Sequence, residues 1–333
     1  MSIDVRPLDD AARWNELLTD ADHPTAFHHA GALDVLERHS GTTCHRLVGF
    51  KGEEPIGLFP VFTLQKGPAT VAFSPPPNLK LPYLGPRLLE RQPLKRRRRD
   101  RRNRRFVDAC LDWLDAERAT NYTSIRTAPA YDDVRPFLWQ GYGSTLRYTY
   151  IVDLDRSADD LLTAFSTDAR KNVTKEYDVD YEIGEGERDD IERIVDQVTD
   201  RHAEQGESFA LSSDVIHDLY EELPEGVVRP YVCRIEGEFT GGFVNLEFGD
   251  RAICWIGAAK VAADLPVNDL LDWGYAKAAM GRGVVTYDLA GANNPRIAGF
   301  KAKFAPDLVP YYALENGGRT MTALSKLYGT LNH

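Results

Sequence analysis

Two segments 185 residues apart open a hairpin in the same way. KGEEPIGLFPV runs from Lys51 and EGEFTGGFVNL from Glu236, so that Gly52, Glu53 and Gly57 align with Gly237, Glu238 and Gly242. Three matched positions are few, but each hairpin stands after two helix-patterned stretches and before a further strand, helix and strand. A tandem duplication of one α/β unit accounts for both. It commits the chain to two similar sheets, and a length of 333 residues matches two domains at about 100 to 200 residues each. The expected division is residues 1–150 and 151–333.

The periodicity fills in each half. In the first, a strand at Ile3 to Arg6 precedes helices near Asp9 to Leu18 and Ala30 to Arg38, then strands at Cys44 to Phe50, Ile56 to Gln65 and Thr70 to Phe73. The segment from Ser74 to Pro86 holds five prolines, which exclude both helix and central strand. Phe106, Cys110, Trp113 and Leu114 then mark one face of a helix, and strands at Tyr122 to Thr127 and Ser144 to Leu154 follow. In the second half, strands at Arg229 to Ile235, Thr240 to Phe248 and Ala252 to Gly257 precede a helix at Pro266 to Met280. A strand at Val284 to Leu289, the loop AGANNPRIAG, an extended FKAKF, a strand at Leu308 to Leu314 and a terminal helix complete the reading. The fold class expected is α/β, with a mixed, mostly antiparallel sheet flanked by helices in each domain.

Charge is unevenly spread. Residues 91–105 hold ten Lys and Arg against one Asp, which leaves 30 basic and 50 acidic side chains elsewhere, a net of −20. Asp (31) outnumbers Glu (20) and Arg (29) outnumbers Lys (11), a pattern of short, well-hydrated carboxylates that suggests a halophilic protein. No apolar run approaches the roughly 18 residues of a membrane helix, and residues 1–20 lack the layout of a signal peptide, so a cytoplasmic protein without membrane insertion is expected. The four cysteines lie far apart with no CxxC and no nearby His pair, so neither a metal site nor a disulfide framework is indicated.

The order strand, two helices, three antiparallel strands, helix, parallel strand resembles the GNAT superfamily of N-acyltransferases, and two copies in a chain of this length resemble its FemAB-like branch. The segments that carry the likeness are WIGA at Trp255 to Ala258, DLLDWGYAKAA, Tyr287-Asp288, and Gly299-Phe300-Lys301 with Phe304. HPTAFHHAGAL and LPYLGP resemble the branch's substrate-facing segments in the first half. The resemblance implies transfer of an acyl group to a small-molecule or peptide-like amine, a cell-envelope precursor being one candidate. It implies no tightly bound cofactor, and acyl-CoA or aminoacyl-tRNA as co-substrate. GAAKVAADLP, where CoA-dependent relatives carry a pyrophosphate loop, lacks that loop's paired glycines. The coiled-coil arm of some tRNA-dependent members is also missing.

The same resemblance implies parted strands that free the amides of Ile256, Gly257 and Ala258 for a donor carbonyl, with Phe300 beside the donor and Lys301 as the functional cation. Asp288, near the end of a buried strand, is a candidate base for the amine proton, and Glu247 is a second. Strand alternation lets at most one of Tyr287 and Asp288 face a given side. On the acceptor side the candidates are His28, Lys80, Tyr83, Arg170, Lys171 and Asn293. The second domain is then the donor and chemical side, and the first the acceptor side.

The basic block, free of interleaved aromatic residues, reads either as a solvated face or as a contact for an anionic partner, tRNA among them. A non-catalytic binding module presenting that helix to RNA is the rival reading. Adaptation to salt has its own check: the unfolding midpoint should rise as KCl goes from 0.1 to several molar (roughly), and a flat profile removes the halophilic reading.

Overall fold

The computed structural model describes residues 2–90, 93–257 and 264–317. In chain order its strands are β1 (Asp4–Pro7), β2 (Thr43–Lys51), β3 (Glu54–Lys66), β4 (Ala69–Ser74), β5 (Arg87–Leu88), β6 (Thr120–Arg126), β7 (Gly143–Asp153), β8 (Tyr181–Glu185), β9 (Val228–Ile235), β10 (Glu238–Phe248), β11 (Arg251–Ile256), β12 (Thr286–Asp288) and β13 (Asp307–Gly317). Its helices are α1 (Ala11–Leu18), α2 (Ala30–Ser40), α3 (Arg96–Arg118), α4 (Arg135–Trp139), α5 (Ala158–Ala164), α6 (Thr167–Thr174), α7 (Arg188–Glu204), α8 (Ser213–Glu222), α9 (Val267–Gly281) and α10 (Pro295–Lys301). Among the described residues no helix is long and apolar enough to cross a membrane.

The chain forms two compact units, one of residues up to Arg147 together with those from Pro310, the other of Tyr148–Val309. Strands in the first run in the order β1-β2-β3-β4-β6-β13, and in the second β8-β9-β10-β11-β12-β7. The two orders correspond position by position. β4 pairs with β6 in parallel, as β11 does with β12, because α3 and α9 supply the long crossovers that parallel neighbours need. The aligned hairpins of the sequence are β2–β3 and β9–β10, and their turns place Gly52 (φ 63°) and Gly237 (φ 81°) in the left-handed region that glycine enters without strain.

The division differs from the plain tandem order in one respect. A cut at 150 gives all later residues to the second domain, whereas the strand from Pro310 joins the first unit, where β13 pairs with β6. Residues 151–153 of β7, which follow the first block in sequence, pair with β12 in the second unit. Periodicity marks these segments as strands; the identity of the neighbour depends on ladder bonds between residues far apart in the chain, which a local pattern does not encode.

Each unit has its own core. In the first, Phe106, Val107, Cys110, Leu111 and Leu114 of α3 lie against Leu47, Phe59 and Val61 of the sheet. In the second, α9 packs Leu271, Trp273, Tyr275 and Ala279 among Tyr231, Phe243 and Tyr287. The Phe106 ring needs a bare backbone beneath it. A Cβ on Gly49 would stand 2.4 Å from that ring and one on its cross-strand partner Gly57 2.6 Å, so the two glycines form the floor on which α3 sits.

That contact yields a test. Gly57→Ala should destabilise the protein by about 1–3 kcal/mol through overpacking, while Gly57→Ala combined with Phe106→Leu should cost less than the sum of the single changes. Urea unfolding of the four proteins measures this, and strict additivity would remove the proposed contact.

Candidate active site

The second unit's sheet opens between β11 and β12. Their parallel ladder pairs Arg251 with Thr286, Ala252 with Tyr287 and Ile253 with Asp288, and ends there among the described residues. β11 runs on through Cys254, Trp255 and Ile256, held on its other side by β10, whose register shifts between Val244 and Asn245. The chain after Asp288 follows β7 instead: Leu289 N–H donates to Tyr150 O (2.8 Å) and Ala292 N–H to Tyr148 O (3.0 Å). Ala290 (φ 52°) and Gly291 (φ 65°) turn it with left-handed backbone. One edge of β11 beyond Ile253 thus has no ladder neighbour on the β12 side among the described residues. Gly257, at the end of this edge, is exposed, and a Cβ there would meet nothing within 4 Å. Ile256 is buried. Ala258 lies outside the described residues.

Asp288 is the last residue of β12 and is buried. Its Oδ1 accepts from Thr149 Oγ1 (2.6 Å) and from Ala290 N–H (2.8 Å). Burial pushes its pKa up to about 7, although the Ala290 N–H and the Lys301 cation pull the other way. Its Oδ1 therefore does cap the turn that follows β12, and the group still titrates near neutrality.

Lys301 ends α10 and donates from Nζ to the carbonyls of Leu289 and Ala290, the same turn that Asp288 caps. An ammonium has three N–H donors, so one is left over from these two bonds. The expected extended FKAKF is helical. Asn294 caps α10 through bonds from Arg296 and Ile297 N–H to its Oδ1, Pro295 occupies the first turn, and residues 302–304 continue as a 3-10 turn. An Asn-Pro pair before an apolar stretch is a helix-start signal, and it is the one the sequence reading passed over. Lys303 follows Lys301 in this turn. It pairs with Asp269 and lies over the Phe300 ring at 4.2 Å, which leaves Phe300 packed on Phe304 and the core.

On the other face of β12, Tyr287 is buried against Tyr275, with its hydroxyl 3.4 Å from both Asn245 Oδ1 and Asp272 Oδ1. Neither Asn245 nor Asp272 is a residue that sequence reasoning singled out. Burial pushes Asp272 up to about 7 and the Cys254 thiol up to about 12, each partly offset by the Lys301 cation. Asn245 is fully buried at the register shift, and its Nδ2 has no partner among the described residues. An Asn within the apolar run GGFVNL and an Asp within the buried helix DLLDWGYA were the signals available.

Glu247, the second candidate base, is engaged otherwise. Its two oxygens accept from Arg229 Nε (2.9 Å), Arg282 Nε (3.0 Å) and Nη2, and Tyr275 Oη (2.8 Å). The hydrogen bonds and cations of that set hold its pKa below the usual value against the effect of burial, so it stays an anion tying α9 to the sheet. Asn293 makes a two-point bond to Tyr148, with Oδ1 accepting the N–H and Nδ2 donating to the carbonyl, each at 2.9 Å. Arg170 donates to Thr163 O (3.1 Å), and Lys171 is exposed.

In the first unit, His28 is buried, with Nδ1 facing Thr25 and Nε2 3.3 Å from Gly85 O. Burial, then the Arg87 charge, hold it well below the ordinary histidine pKa, so it is a neutral brace between a 3-10 turn and the proline-rich segment. Tyr83 is buried on Tyr311 (5.3 Å), with its hydroxyl unpartnered among the described residues, and Lys80 is exposed at φ 52°.

Residues 166–301 match the family described as "Acetyltransferase (GNAT) domain". The chain superposes on FemX with a TM-score of 0.70 at 11% identity, over 93% of this chain and 96% of that one. It superposes on L-PGS from Bacillus licheniformis at 0.57 with 13% identity, over 97% and 96% of the two chains. A tandem GNAT protein from the clavulanic acid biosynthesis pathway gives 0.52 and 14%, over 95% and 98%. At such identities the structures speak to the fold alone. No curated protein matches the sequence. The duplicated sheet order, the parted parallel pair and the match across the second unit lead to one conclusion: residues 166–301 carry the GNAT acetyltransferase-domain match, and the chain has the tandem fold also seen in FemX and in the tandem GNAT protein.

Proposed function

We propose that the protein moves an acyl group from a coenzyme A thioester to a primary amine, with the unit of residues 148–309 as the donor and chemical side and the first unit supplying the acceptor side. The observation that carries this is the end of the β11–β12 ladder at Ile253 and Asp288, with a buried, titratable carboxylate at the point of parting. The amine nitrogen attacks the thioester carbonyl carbon; the C–N bond forms and the C–S bond breaks. Asp288, ionised, takes the proton from nitrogen and returns it to the departing sulfur, so no net proton is lost. Peptide N–H groups of the β11 edge past the end of its β12 ladder, with the remaining Lys301 N–H, are the donors available to the carbonyl oxygen as it gains charge. Cys254, held as a thiol by burial, is not a nucleophile in this scheme. An aminoacyl ester as donor requires the same atoms with oxygen in place of sulfur as the leaving group.

Acetyl-CoA should raise the melting temperature and release thiol in the presence of small primary amines, and Lys301→Met should lower that release by about 10- to 100-fold. Full activity in Lys301→Met would remove the cation from the chemistry. A lack of thermal response to acetyl-CoA, with transfer from aminoacyl-tRNA instead, would move the donor to the ester class.

The raised pKa of Asp288 gives two pH dependences. As a base it must be ionised, so kcat/KM should climb through about 7 and level above it, and Asp288→Asn should lose roughly 10²- to 10⁴-fold. For stability the sign is opposite. The unfolded carboxyl ionises near 3.8, so between that value and about 7 the folded state holds the extra proton and stability falls as pH rises. Asp288→Asn removes this loss, and its unfolding midpoint relative to the native protein should improve from pH 5 to pH 8 (approximately). A relative midpoint that does not change with pH would contradict the buried, proton-holding carboxylate.

A further inference from the structure

Seven of the nine arginines of α3 fall into two groups. Arg96 bonds Asp100 (2.7 Å), Arg99 bonds Glu90 (2.7 Å) and Asp22 (2.8 Å), and Arg104 reaches Asp108 (3.5 Å). Arg98, Arg101, Arg102 and Arg105 lie instead on another stripe at i, i+3, i+4 and i+7. With Lys51 they line a groove of about 520 Å3 whose apolar members are Ile3, Ile56 and Leu94. Glu54 is bonded by Arg102 (2.9 Å) and approached by Lys51 (3.9 Å). The guanidinium groups of Arg98 and Arg101 carry no ion pair or hydrogen bond among the described residues, and both are exposed.

Among the described residues, Arg98 and Arg101 of this stripe make no contact that holds the unit together. The apolar side chains that pack α3 on the sheet begin at Phe106, Arg102 is tied to Glu54 and Leu89 O, and Lys95 gives the helix no side-chain cap. Like charges at these spacings, and cations in a first turn, each weaken a helix. Guanidinium forks one turn apart fit adjacent phosphoryl groups, each fork taking two oxygens. The groove's size is that of a small-ligand site, about 300–1,000 Å3. Among the described residues no aromatic side chain lines it for base stacking, as a single-stranded nucleic acid would use. Its apolar lining is Ile3, Leu94 and the fully buried Ile56, too little exposed apolar surface for a bilayer anchor.

We propose that the groove formed by Lys51, Arg98, Arg101, Arg102 and Arg105 binds a small molecule through two or more linked phosphoryl groups. The site belongs to the first unit alone and is read by binding, so its outcome is independent of the acyl-transfer reading.

The probe is inorganic tripolyphosphate, titrated calorimetrically into the full chain at fixed ionic strength. One saturable site is expected. Its affinity should fall about tenfold or more in Arg98→Gln/Arg101→Gln, with a smaller loss in Arg98→Lys/Arg101→Lys, which keeps the charge and removes the fork. Arg96→Gln/Arg104→Gln, on the ion-paired stripe, should change it less than about twofold. Adenosine diphosphate in place of tripolyphosphate distinguishes a nucleotide from a free polyphosphate as the source of the phosphoryl groups; binding of either supports the site. Absence of saturable binding to both would overturn the proposal, as would equal losses in the two glutamine pairs. Tighter binding to tRNA or to phosphatidylglycerol vesicles than to tripolyphosphate, lost in Arg98→Gln/Arg101→Gln, would also overturn it and assign the groove to a macromolecular surface.

Discussion

Three residues of β11 run past the end of its parallel neighbour, and the chemistry proposed for this protein depends on that mismatch. A strand inside a sheet uses its peptide groups on both sides; here the β12 chain turns away to follow β7, so among the described residues the ladder on that side of β11 ends at Ile253 while the β10 ladder runs on to Ile256. Buried peptide N–H groups without a partner are costly, and such an edge is retained where a ligand or water completes it. The register shift at Val244 and Asn245 belongs to the same departure from regularity, and Asn245 Nδ2 there has no partner among the described residues.

Around that opening, burial and bonding sort the ionisable groups into distinct states. Asp288 and Asp272 lie where desolvation outweighs the nearby Lys301 cation, and both titrate near neutrality. Glu247, on the same strand as Asn245, meets two guanidinium groups and a tyrosine hydroxyl and stays ionised. Two carboxylates of one sheet thus have opposite uses, one able to exchange a proton and the other fixed as a brace. Lys301 links the pieces by bonding the turn that Asp288 caps.

Much of the fold was legible because its signals are local. The hairpin turns needed glycine at Gly52 and Gly237, the apolar stripe of α3 from Phe106 to Leu114 had a clear period, and the strands β2, β3, β9, β10 and β11 sat close to their expected bounds. Asp288 and Lys301 could be singled out, one from its place at a strand end and the other from a resemblance. Helix α10 was missed because two lysines in FKAKF look like alternation, while the Asn294 cap and Pro295 that start the helix lie seven and six residues before Lys301. Asn245 and Asp272 went unnoticed because their interest arises only where a register shift and the Tyr287 hydroxyl meet them.

By itself the sequence determined most of the helices and strands though not α10, that the unit is repeated, and that one helix starts with a dense run of cations, since each of these follows from period, turn residues and charge along the chain. Only the tertiary structure decided that β7 and β13 take the sixth positions they do, that the β11–β12 ladder stops at Ile253, and which carboxylate is free to titrate. Those outcomes depend on hydrogen-bond partners and desolvation supplied by residues far away in the sequence. A carboxyl group's pKa and a strand's neighbour are properties of its surroundings, and those surroundings exist only once the chain has folded.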